Sequence, residues 1–242
     1  TMKISIYRYE KKEEGDFVTI RGEKREEKSI EETELNKEIE ALSSTPFDYA
    51  SIFIEEELDI SKIEDIEKGT KLGEIAIGKI KGKDIFIFSG KDEGLLEYIE
   101  RRCYELIEIG LCAAKFDKVI KDYKEIFAEG SEKSLRKLMD KNRFYLPLLK
   151  ELERRLAVIK EEMVNREGNI SGLFHHLLRE VKEENIITLS TWIDISSNCL
   201  AQRLQMKTNK LLFWLTVVAT IFAFFTLLPS LIKIFQTLGI LK

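Results

Sequence analysis

Leu211–Ile232 reads LLFWLTVVATIFAFFTLLPSLI, a stretch without one ionisable side chain and with five Phe or Trp residues. As a helix rising about 1.5 Å per residue it is about 33 Å long, enough to cross a hydrocarbon core of about 30 Å. The expectation is therefore a single transmembrane helix over 211–232, with a short tail at 233–242 beyond it. On a helical wheel of about 100° per residue the helix is two-sided. Asn198, Gln202, Gln205, Asn209, Leu212, Thr216, Thr220, Ala223, Leu227 and Ser230 fall on one line, while Arg203, Lys207, Lys210, Trp214, Ile221 and Phe225 fall on the far side. Gln202, Asn209, Thr216, Ala223 and Ser230 are seven apart, and a strict seven-residue repeat implies left-handed supercoiling against other helices. Polar side chains are costly against lipid, so this stripe is expected to face partner helices or water. With one span per chain the simplest partners are other copies of the protein. The stripe then reads either as the lining of a central pore or as a dry coiled-coil seam.

Ahead of the span lies enough chain for one folded α+β domain, with 34% charged and 44% hydrophobic residues among 242. Strand signals dominate 1–90. Lys3–Tyr9 and Asp16–Arg21 form a hairpin about Gly15, Tyr49–Ile54 is a buried strand, and 73–80 and 84–89 form a second hairpin about Lys81-Gly82-Lys83, giving a sheet of about five strands. The charge-dense run 23–40 suits a short amphipathic helix or loop, and so does 58–68. From Asp92, a natural N-cap, the period changes to 3.6 and marks a helical region over 91–168. One helix runs to Gly130, a second starts at Ser131, and a third has Pro147 in its first turn. After a break at Glu167-Gly168-Asn169, a stalk helix over 169–210 is expected to continue unbroken from Ser171 to Leu228, ahead of Pro229. The fold class expected is thus a mixed sheet with helices, followed by a long stalk continuous with one C-terminal span.

No signal sequence precedes the first strand, so the large N-terminal part is expected to be cytoplasmic and the protein a single-pass component of the cell membrane. Arg203, Lys207 and Lys210 ahead of the span against Lys233 and Lys242 after it agree with that orientation. A net charge of −4 and the lack of a basic patch with interleaved aromatics argue against nucleic acid as a partner. Cys103, Cys112 and Cys199 have no metal-type spacing and read as free thiols in a reducing compartment. There is no phosphate-cradling Gly loop, HExxH or nucleophile elbow, so no enzyme and no required cofactor is expected. His175-His176 could bind metal or sense pH, but adjacent histidines point to different helix faces and read first as solvated or partly packed side chains. The acidic runs Glu55-Glu56-Glu57, Glu64-Asp65 and Asp92-Glu93 read first as solvated faces, although clustered carboxylates also suit hard divalent cations.

Lys207-Thr208-Asn209, followed by Leu215-Thr216-Val217-Val218-Ala219-Thr220-Ile221-Phe222, resembles the CorA family of divalent-cation channels, as does the order of sheet, helices, stalk and span. The resemblance implies a homopentamer whose stalk helices continue into the membrane and line the pore, with divalent cations such as Mg²⁺ as substrate or regulatory ligand. It places Asn209 at the cytoplasmic side of the pore, Leu212 and Leu215 at the hydrophobic constriction, and Thr216 and Thr220 at hydroxyl-bearing positions, with Leu215 off the stripe. The family's Gly-Met-Asn signature occurs nowhere in this sequence, and its second transmembrane helix has no counterpart here. The Mg²⁺-selective filter is therefore not implied for this chain. The alternative on the same frame is a non-conducting, membrane-anchored scaffold or regulator.

Overall fold

The computed structural model describes residues 1–60, 63, 65–72, 75–165 and 171–237. Strands β1 (Met2–Glu14) and β2 (Phe17–Ile30) are followed by helix α1 (Leu35–Ser43). Strands β3 (Tyr49–Ile54), β4 (Ile66–Leu72), β5 (Ile75–Ile80) and β6 (Ile85–Ser89) complete one mixed sheet of order β2-β1-β3-β6-β5-β4, in which β3 and β6 pair parallel and the other described pairs are antiparallel. Helices α2 (Glu93–Glu129), α3 (Glu132–Asn165), α4 (Ser171–Glu180) and α5 (Glu183–Thr237) follow.

Side chains alternate across a strand, and the two central strands sort cleanly by that period. Tyr49 and Phe53 of β3 and Phe86 and Phe88 of β6 join the core beneath α2. Ala50, Ile52, Ile54, Ile85 and Ile87 join a second core, closed by Leu35, Ile39 and Leu42 of α1. The sheet is covered on both faces, with an aromatic layer on one side and an isoleucine layer on the other. The expected first hairpin is present, with Gly15 at φ +64° in its turn. Its second strand runs on to Ile30 through a charged stretch that favours helix locally. Pairing with β1 over most of its length, with cross-strand ion pairs such as Arg8–Glu26 at 3.1 Å, overrides that preference.

The caps of α2 are those the sequence marks. Asp92 accepts from the Leu95 N–H at 3.0 Å, and Gly130 closes the helix at φ +62°. Three boundaries differ from expectation. Residues 132–165 form one helix with Pro147 inside it, where the proline gives up its N–H bond to the carbonyl of Arg143 and its ring crowds that carbonyl. The expected unbroken helix from Ser171 is divided at Val181–Lys182. There Val181 is buried beside Gly110, and Asn185 donates to the Ala113 carbonyl at 2.9 Å, so docking on α2 turns the chain. Beyond the turn, α5 passes through Pro229 and ends at Thr237 rather than before the proline. The expected break at 167–169 lies outside the described residues.

The first half of α5 lies against α2 and α3. Ile186, Leu189 and Ile193 are fully buried, each burial stabilising by about 1.5–3 kcal/mol, and Trp192 meets Phe127 edge-on. At the centre of this three-helix contact sits Asn142. It accepts from the Tyr123 hydroxyl at 2.9 Å and donates to the hydroxyls of Ser196 and Ser197, both at 2.9 Å. Replacing Asn142 by Ala orphans buried polar partners on α2 and α5. We expect unfolding of the full chain in detergent to become easier by about 1–3 kcal/mol, read by circular dichroism in denaturant. An unchanged midpoint would show that the network does not hold the helices together.

Candidate functional site

The docked face of α5 is set by Ile186, Leu189, Ile193, Ser196, Leu200, Arg203 and Lys207, at helical spacing. The first four are buried, Arg203 donates to the Gly130 carbonyl at 3.0 Å, and Lys207 pairs with Glu132 at 2.9 Å. At about 100° per residue the polar stripe from Asn198 to Ser230 lies roughly 170° away from this line. All ten stripe residues are exposed, and none is turned toward the chain's own domain. Beyond Lys207 nearly every described residue of the helix is exposed, and Leu211, Phe213, Trp214, Phe222 and Phe225 are each more than half so. This helix is long and apolar enough to cross a membrane. A face of that size left in water would be a liability, and lipid or further helices would cover it.

The stripe is chemically of two kinds. The Thr216 hydroxyl donates to the Leu212 carbonyl at 2.9 Å, and the Thr220 hydroxyl to the Thr216 carbonyl at 2.8 Å. Their protons are committed to the helix, so outward they offer only acceptor lone pairs. Such groups suit a cation and do not attract an anion. They also require no polar partner. The amides Asn198, Gln202, Gln205 and Asn209 differ, because each carries both donors and an acceptor away from the domain. Asn209 lies two residues before Leu211, about 3 Å from the start of the apolar stretch.

In the structure the stripe starts earlier than the sequence suggests. Ile187, Thr191 and Asp194 continue the same line toward the domain at spacings of four and three, and all are exposed. The register was readable from Asn198 backwards. What sequence lacks is the knowledge that Ile186, Leu189 and Ile193 hold the opposite side.

The other candidate residues are dispersed. Glu55 pairs with Lys3 at 3.7 Å, Glu57 with Lys91 at 3.4 Å and Glu93 with Arg25 at 3.5 Å, while Asp92 caps α2. Glu64 is outside the described residues. Among the described residues no three His, Cys, Asp or Glu side chains gather as a metal site. His175 is exposed, Cys103 and Cys112 are buried free thiols, and Cys199 is half-buried. No protein-family model matches the chain, and neither does any curated protein.

One buried carboxyl stands out under the sheet. Glu100 of α2 accepts from the Tyr9 hydroxyl, beside the Ser51–Tyr104 hydroxyl pair at 2.9 Å. Burial pushes its pKa above the usual carboxylate range, against the lowering effect of its hydrogen bonds. The cluster is closed and ties β1 and β3 to α2. A carboxyl with a raised folded pKa binds its proton more tightly in the folded state. Its contribution is therefore full below the ordinary value of 4.5 and is lost as pH rises through the folded value. Glu100→Gln keeps an acceptor for Tyr9 without the charge. The variant should match the wild type in acid and become the more stable of the two toward neutral pH, measured as thermal midpoints across a pH series. A constant difference at every pH would mean that Glu100 does not titrate in this way.

Proposed function

We propose that this chain is a subunit of a CorA-like homo-oligomeric membrane channel for cations, five copies being the number the resemblance implies. Its pore is lined by the stripe of α5, and its N-terminal domain is cytoplasmic. The observation that carries this reading is the opposition of the two faces of α5. Copies set around an axis can turn their stripes inward while their sheets stay outside only when the docked face and the stripe are back to back. Rings of Asn209, Thr216 and Thr220 oxygen then replace part of an ion's water, and a ring of Leu212 forms a constriction that gates by dewetting. The cations Arg203, Lys207 and Lys210 lie off the axis. On a regular helix Lys233 also falls about 100° from the stripe, so it need not close the outer end. Without the Gly-Met-Asn filter, selectivity for Mg²⁺ is not part of the proposal.

The self-satisfied hydroxyls of Thr216 and Thr220 favour one competing arrangement, a non-conducting scaffold with a dry seam, since such a seam needs no water. Flux separates the two. Proteoliposomes holding the confirmed oligomer should take up Mg²⁺, Co²⁺ or Ni²⁺ and monovalent cations with little discrimination, and Leu212→Ser should raise uptake several-fold. Tight oligomers that pass no ion would leave the scaffold. The axis itself is tested by cysteine substitution after Ser replaces the native thiols. A Cys at Gln202 or Gln205 should join two copies on mild oxidation in membranes, whereas a Cys at Arg203 should not. Equal yields at both faces would show that the stripe does not face the copies.

A further inference from the structure

We propose that the groove between the start of α3 and the end of the α5 stalk seats the phosphate of an anionic phospholipid in the adjoining leaflet. The inference rests on the 211–232 stretch spanning a bilayer and is independent of whether the stripe conducts. Leu135, Met139 and Leu204 form the apolar floor of the groove, and Arg136, Arg203 and Lys207 surround it with Glu132.

Three positional facts favour a lipid over any other occupant. The first is height. Lys207 precedes Leu211 by four residues, about 6 Å along the helix, and the headgroup layer on each side of the hydrocarbon is about 5–8 Å deep. Lys207 thus stands in that layer, and its 2.9 Å contact with Glu132 brings the first turn of α3 to the same level. The second is direction. Leu211, Trp214, Val218 and Phe225 lie on the α5 line directly below the groove, on the side away from the stripe. An acyl chain descending from the groove would run along them, with the Trp214 ring at interfacial depth. The third is charge. Three cations around one carboxylate leave the groove net positive. Glu132 already holds Lys207 and, at 3.4 Å, Arg136, while Arg203 uses one donor on the Gly130 carbonyl at 3.0 Å and keeps the rest of its guanidinium. The singly charged phosphodiester of such a lipid, with two non-bridging oxygens as acceptors, can take over the cations that Glu132 now engages.

The full chain, reconstituted in nanodiscs of equal phosphatidylcholine and phosphatidylglycerol, is examined by native mass spectrometry for lipid retained on release. Phosphatidylglycerol should be kept in preference. Arg136→Gln with Arg203→Gln should cut that preference about thirtyfold, at about 1 kcal/mol per basic side chain. Glu132→Gln, which removes the competing carboxylate, should raise it, and a merely misfolded variant would not. Equal retention of the two lipids by the wild type overturns the proposal, as does a preference unchanged in both variants. So does displacement of phosphatidylglycerol by soluble glycerol phosphate at equal concentration, which would make the ligand a free phosphate. A chain that enters no nanodisc overturns the spanning helix as well, whereas an inserted chain without lipid preference overturns the groove alone.

Discussion

The rotation of α5 about its own axis is fixed by a contact only a few turns long. Ile186, Leu189 and Ile193 pack into the seam between α2 and α3, and Asn142 ties Ser196 and Ser197 to Tyr123 across it. A continuous α-helix transmits its phase, so this docking decides which way every later residue points. The apolar burial supplies the strength. The asparagine supplies the setting, because a buried amide is satisfied in one register and orphaned in the next. Everything inferred about the free end of the helix depends on this short stretch of packing.

From that phase the two sides of α5 acquire different surroundings. The docked line continues along the helix into Trp214, Ile221 and Phe225, side chains suited to lipid, with the basic groove on the domain side of them. The opposite line carries amides, hydroxyls and small or apolar side chains. Its hydroxyls are content on their own backbone, so the polar requirement of this face falls on Asn198, Gln202, Gln205 and Asn209. Hydroxyl and amide acceptors and the neutral Leu212 lie on one side, and Arg203 and Lys207 lie on the other. That division is the physical content of the proposed ion path.

The sheet gives α2 a fixed base. Its aromatic layer of Tyr49, Phe53, Phe86 and Phe88 holds α2 from one side, while α1 and the isoleucine layer seal the other. Helix α2 in turn carries α3, α4 and the start of α5. Glu100 and the hydroxyls around it fasten this joint, and the raised proton affinity of Glu100 follows from how dry the joint is.

Local chemistry was enough to reveal much of this. The apolar length of 211–232, the Asp92 and Gly130 caps of α2, the Gly15 turn and the stripe from Asn198 to Ser230 are all properties of neighbouring residues, and a chain states those openly. Other features depended on distant partners. The charged run 23–30 became a strand because β1 lay alongside it. Pro147 remained inside α3, and Val181 broke the long helix because Gly110 left room beside it. Above all, sequence could draw the stripe but could not say what lay behind it. Periodicity defines the faces of a helix relative to one another. Only packing against α2 and α3 fixes those faces in space, because burial is a relation between segments far apart in the chain.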